Sequence, residues 1–121
     1  MCGIFFLTQA AEEYNNQSIN KIKTAFDSGK GRGPDNSVFI HNYSESVNHY
    51  LPQNKQQYFH LGFHRLSING LDEDSNQPLA IDHMGLICNG EIYNYKELYA
   101  EHNIVPQTNS DCEVILHLYL K

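Results

Sequence analysis

Three glycines and a proline fall within the six residues from Gly29 to Pro34. Neither a helix nor a strand passes through such a stretch, because glycine leaves the backbone unrestrained while proline locks φ and removes a hydrogen-bond donor. A loop therefore runs from Gly29 to Asp35, and regular structure has to be built on either side of it. On the N-terminal side, the apolar run Cys2 to Thr8 reads as a buried strand. Ile19, Ile22 and Phe26 follow at steps of three and four, which predicts a helix over Asn16 to Ser28 with Gly29 closing it.

On the other side of the loop, strands are expected at Ser37 to His41 and at Tyr58 to Ser67, where Phe59, Leu61 and Phe63 alternate with polar or small residues. The connection between them, Asn42 to Gln57, is hydrophilic and has little to bury. After an acidic loop at Asp72 to Asn76, Met84 to Cys88 reads as a short strand that stops at Asn89-Gly90. Asn94 with Glu97, and Ser110 with Glu113, have capping-box spacing and predict two further helices. The second, from Asp111, meets no stop signal before Lys121. This order predicts an α+β fold, a sheet layer with helices on one side.

Charge narrows the partners. Lys and Arg number 8 against 14 Asp and Glu, a formal charge of −6, and only Arg32 and Arg65 are arginines. No basic stripe is available to neutralise phosphates, so no nucleic acid and no anionic membrane is expected as a partner. No apolar run approaches the ~20 residues that span a bilayer, and the apolar start is too short for a signal-peptide core, so a cytoplasmic location is expected. The three cysteines, Cys2, Cys88 and Cys112, are widely spaced and form no C-x-x-C pair, which suggests neither a disulfide framework nor a zinc knuckle.

Three features could carry chemistry. Cys2 becomes the first residue if the initiator methionine is removed, and its own α-amine, with an ordinary pKa of about 7.7 to 8.0, could then serve as the base for its thiol. A buried apolar cysteine is the plainer alternative. Asn89-Gly90-Glu91 ends a strand on an amide, a residue without Cβ and a carboxylate; the Asn amide and Gly N–H could converge on one oxyanion, or the pair could simply make a turn. Arg65 could hold a carboxylate through two hydrogen bonds, or form a structural ion pair.

Metal and phosphate readings fail on geometry. His60 and His64 lie on an expected strand, where four residues span ~13 Å, too far for one zinc ion. Asp72, Asp74 and Asn76 begin like a calcium loop, but Gln77 and His83 stand where glycine and glutamate are required. The glycines around Arg32 lack the Lys-Ser/Thr ending of a phosphate loop.

Six blocks occur in order: Met1-Cys2-Gly3-Ile4-Phe5, Arg32-Gly33-Pro34-Asp35, Arg65-Leu66-Ser67-Ile68, Gln77-Pro78-Leu79, Asn89-Gly90-Glu91-Ile92-Tyr93-Asn94 and Ser110-Asp111-Cys112-Glu113-Val114-Ile115. Together they resemble the N-terminal glutaminase domain of glutamine-dependent asparagine synthetases, class II glutamine amidotransferases of the N-terminal-nucleophile hydrolase type. The resemblance implies a four-layer αββα sandwich. It also implies that Cys2 is the nucleophile and its amine the base, that Asn89 and Gly90 form the oxyanion hole, and that Arg65 binds the α-carboxylate of glutamine while Glu91 and Asp111 bind its α-ammonium. No cofactor is implied for the glutaminase step; ATP and Mg²⁺ enter only with a synthetase domain or chain, which is the partner implied besides glutamine.

The chain departs from that pattern in places. Phe6 stands where glycine is usual and is expected to crowd the packing behind the nucleophile, and Gly31 stands where histidine is common. Residues 1–121 read as a partial amidotransferase domain, incomplete at the C-terminus and without a synthetase domain. That leaves two readings: a glutaminase that supplies ammonia for asparagine synthesis, or a catalytically silent remnant that only binds glutamine or a partner. Missing later strands should leave the apolar faces of Tyr58 to Ser67 and Met84 to Cys88 partly bare and prone to self-association.

Overall fold

The segment with the clearest alternation becomes the centre of a sheet. In the computed structural model, which describes residues 2–10, 13–43 and 57–121, strand β1 (Gly3–Ala10), helix α1 (Asn16–Asp27), strand β2 (Asn36–Tyr43) and strand β3 (Gln57–Arg65) come first. The three strands form one antiparallel sheet in the order β1-β3-β2. Gly3 pairs with His64 and Asn36 with Arg65, so both outer strands lie beside the same end of β3. Residues 44–56, most of the hydrophilic connection, lie outside the described residues.

Alternation along β3 puts Tyr58, His60, Gly62 and His64 on one face and Phe59, Leu61, Phe63 and Arg65 on the other. Phe26 of α1 packs on the first face directly over Gly62, where an added Cβ would come within 2.5 Å of its ring. The ring stacks on His64 with centroids 4.0 Å apart and meets Phe39 and Phe5 at 5.1 and 5.9 Å. The expected periodicity of α1 is thus met by an aromatic cluster. Its start carries a signal the sequence reading passed over: Asn15 accepts the Ser18 N–H at 2.9 Å while Ser18 Oγ accepts the Asn15 N–H at 3.0 Å, a capping box. His60 is fully buried beneath this layer with neither ring nitrogen hydrogen-bonded among the described residues. Burial, and next the neighbouring His41, hold its pKa below the ordinary value.

The opposite face is half covered. Phe63 is buried, but Ile4, Phe6 and Ile40, which pair across from Phe63 and Leu61, are 49%, 62% and 37% exposed. Phe6 therefore points to open solvent and does not crowd the nucleophile, contrary to expectation.

Strands β4 (Leu79–Ile81) and β5 (Met84–Leu86) make a separate hairpin, followed by α2 (Tyr95–His102) and α3 (Glu113–Tyr119). Leu79, Ile81, Cys112 and Leu116 form a buried cluster, with Met84, Leu86 and Cys88 packed against it. Helix α3 thus packs on the hairpin face that was expected to be partly bare, and Met84, Leu86 and Cys88 are partly buried against it. Both C-terminal helices occur, but neither expected capping box does. Asn94 makes no side-chain cap, and Glu113 folds back onto the preceding loop instead of bonding Ser110. Helix α3 also ends before the terminus, at Tyr119. Three- and two-stranded sheets with packed helices make this an α+β fold.

Candidate active site

The site starts where β1 meets the end of β3. One residue before β1, Cys2 lies against Leu66, its Sγ 3.3 Å from the Leu66 nitrogen and 3.5 Å from the Leu66 oxygen. This ends β3 at Arg65, two residues sooner than alternation suggested, because side chains take the next two N–H groups: Cys2 Sγ that of Leu66 and Asp35 Oδ2, at 2.7 Å, that of Ser67. The Arg32-to-Asp35 loop is fitted to this crossing. Asp35 N–H donates to the Arg65 carbonyl at 3.0 Å, and a Cβ on Gly33 would stand 2.2 Å from the His64 oxygen, so only glycine allows the approach.

Arg65 is 5% exposed. Its guanidinium donates to the carbonyls of Asn69, Gly70 and Asp72 and, at 2.7 Å, to the side chain of Asn76. No carboxylate pairs with it; among the described residues the one basic side chain in contact with a carboxylate is His117, whose Nε2 lies 2.8 Å from Glu113 on α3. The structural ion pair entertained for Arg65 is therefore absent there, and a buried positive charge is solvated by neutral acceptors alone. The loop around it is pinned in turn. Asp72 accepts the Ser75 N–H and hydroxyl and the Asn109 amide, at 2.9, 2.8 and 2.9 Å. Those bonds, that from Asn109 foremost, hold its pKa below the ordinary carboxylate value.

Asn109 leads into the second wall. Asp111 is buried, and its carboxylate accepts the Ile92 N–H at 2.6 Å, which anchors the segment Asn89 to Ile92. On the same segment the Gly90 carbonyl accepts the Cys112 thiol at 3.6 Å. Burial, and then its hydrogen bond with Cys88, push the Cys112 thiol well up, so it stays protonated and inert. The side-chain amide of Asn89 has no partner among the described residues.

Cys2, Arg65, Asn89, Gly90, Glu91 and Asp111 all line one cavity of about 260 Å³. That is below the ~300 to 1,000 Å³ of drug-sized pockets and suits a small metabolite. Arg32 is elsewhere: it faces a second hollow behind Cys2, shared with Phe26, Gly29, His64 and Asn89. Cys88 and Cys112, expected as core cysteines, do pack in the apolar cluster but also reach the first cavity. Gln77 and Tyr93 line it too; both stood in recognised blocks without a role, because an amide after an acidic loop and a lone tyrosine carry no spacing signal. Among the described residues, no three His, Cys, Asp or Glu side chains gather as a metal site would need, and no helix is long and apolar enough to cross a membrane.

An unpaired cation, two carboxylates, a free amide and a thiol around one small cavity can hold a zwitterion with a carbonyl beside the sulfur. The chain belongs to the glutamine amidotransferase domain family, which it matches over residues 1–121. Among curated relatives it is 36% identical to asparagine synthetase [glutamine-hydrolyzing] 2 of Bacillus subtilis, with 98% of this chain and 14% of that protein covered. It is equally 36% identical to the asparagine synthetase [glutamine-hydrolyzing] of Mus musculus, with 100% and 19% covered, and to that of Gallus gallus, with 98% and 19%. The chain spans a quarter or less of the length of the curated relatives it matches.

Proposed function

We propose that this chain carries a glutaminase site that hydrolyses glutamine to glutamate and ammonia through a thioester on Cys2. The observation that carries the reading is the convergence of all six expected residues on one cavity. With Met1 removed, the α-amine of Cys2 takes the thiol proton as sulfur attacks the side-chain amide carbon. The oxyanion then rests on the Asn89 amide and the Gly90 N–H. Collapse breaks the C–N bond, the amine returns the proton to the leaving nitrogen, and ammonia departs. Water then adds to the thioester, the thiol is released, and glutamate is left. Arg65 supplies charge to the α-carboxylate, and Glu91 and Asp111 to the α-ammonium.

The relatives' names support ammonia being used to make asparagine; in this reading a synthetase domain or chain carries out that step with ATP and Mg²⁺, and the glutaminase step itself uses no cofactor. In this reading residues 1–121 are part of a larger αββα sandwich whose second sheet covers Ile4, Phe6 and Ile40. The exposure of those side chains favours the alternative, a silent remnant, for the 121 residues alone. Glutamate release from glutamine, with intact-mass analysis of the N-terminus, tests the proposal. Cys2→Ala should abolish release and Cys88→Ala should not; activity surviving Cys2→Ala, or a retained Met1 on an active chain, rules the mechanism out.

A further inference from the structure

The hairpin that delivers Asn89 and Gly90 ends in an unusual way. Its last backbone pair is Leu79 with Leu86, and the same register carried outward sets Gln77 opposite Cys88. There the Cys88 N–H is taken by the side chain of Gln77, with Oε1 at 2.6 Å, and not by a main-chain carbonyl. Gln77 is 8% exposed and lines the cavity. An N–H can only donate, so the amide oxygen faces Cys88 and the Nε2 group faces away, without a partner among the described residues.

Cys88 is the residue immediately before the two oxyanion donors. Beyond them the chain is held by the Cys112 thiol on the Gly90 carbonyl and by Asp111 on the Ile92 N–H. The upstream anchor is Gln77. We infer that Gln77 is a positioning residue: its side-chain carbonyl fixes the Cys88 N–H and thereby the bearing of the Asn89 amide and the Gly90 N–H on the reacting carbon. This rests on the glutamine-hydrolysis reading. It assigns Gln77 an effect on turnover and not on substrate affinity, because the oxyanion exists only after attack.

The test compares Gln77→Met, which keeps length but loses the acceptor, with Gln77→Glu, which keeps an oxygen at the same reach, in the protein at its natural length. Gln77→Met should lower kcat by roughly 10- to 100-fold with KM changed less than about threefold. Gln77→Glu should restore most of the lost kcat, whatever its charge does to KM. Unchanged kcat in Gln77→Met, or equal losses of kcat in both, would overturn the inference. Hydrogen exchange is the readout independent of catalysis: the Cys88 amide should exchange at least about tenfold faster in Gln77→Met while that of Leu86 does not, and equal exchange also overturns it. Gln77→Leu replaces the methionine variant should the latter not fold. If the natural protein hydrolyses no glutamine, the proposed function falls, and exchange at Cys88 still decides whether Gln77 anchors the segment.

Discussion

Asn89 offers its amide to the cavity with no partner among the described residues to lose, so Asn89→Ala removes a donor and little else. Turnover should fall by roughly 10² to 10³, the usual effect of deleting one oxyanion donor, with folding intact by circular dichroism. A residue that merely turns the chain would leave turnover nearly unchanged, and that result would return Asn89-Gly90 to the status of a turn. Arg65 differs because it has two jobs. It organises residues 69 to 76 through their carbonyls and also presents charge to the cavity, so its loss cannot be a pure binding effect. The motif marked Arg65 as an expected carboxylate holder; its carbonyl partners were not legible, since loop carbonyls leave no trace in residue type. The same holds for Asp72, read as part of an acidic loop and as the failed start of a calcium loop, which ties that loop to Asn109 across 37 positions.

At the scale of elements, the sequence told most about what alternates and least about what ends. Helix α1 and strand β3 were legible because each presents a periodic apolar face to a partner layer. The ends were misplaced wherever a side chain from afar claimed the terminal donors, as Cys2 and Asp35 do beyond Arg65. Strand β4 was missed because Pro78 and Asp82 confine its apolar run to three residues, whereas the run that begins β5 continues through Ile87 and Cys88. Glu113 shows the same confusion from the other direction. Its carboxylate accepts the N–H groups of Gln107 and Thr108 and the Thr108 hydroxyl, at 2.7, 2.6 and 2.6 Å, and also contacts His117. Burial would raise its pKa, but these hydrogen bonds outweigh burial and hold it below the ordinary glutamate value of about 4.3. The folded state thus favours the carboxylate. The stabilisation is complete above about pH 4.3 and is lost as pH falls through the lower, folded value. Glu113→Gln should cost about 1.5 to 3 kcal/mol at neutral pH and should flatten the acid limb of a plot of denaturation midpoint against pH. Parallel acid limbs in the two proteins would contradict this.

For the molecule as a whole, the half-covered sheet sets the behaviour of the 121 residues in isolation. Ile4, Phe6 and Ile40 form a bare apolar face, and each ~100 Å² of such surface left in water forgoes about 2.5 kcal/mol. The isolated 121-residue chain should bind a hydrophobic dye or self-associate in light scattering, and Phe6→Ser should reduce both without lowering the denaturation midpoint. Dye-free, monomeric behaviour above 60 °C would show that the face needs no cover. Arg65 has a consequence of another kind. A guanidinium sealed among neutral carbonyls is an electrical debt carried by the native state alone, since in the unfolded chain water screens it. If Arg65 receives the α-carboxylate as proposed, a small carboxylate entering the cavity settles that debt, and binding should register as heat resistance. Saturation at a hundred times Kd is worth about 2.7 kcal/mol, or roughly 10 °C in the melting temperature of a domain of this size. Glutamine and glutamate should give that rise, and 4-aminobutanamide, which is glutamine without its α-carboxylate, should not. Equal shifts from all three would mean that the charge at Arg65 is already satisfied.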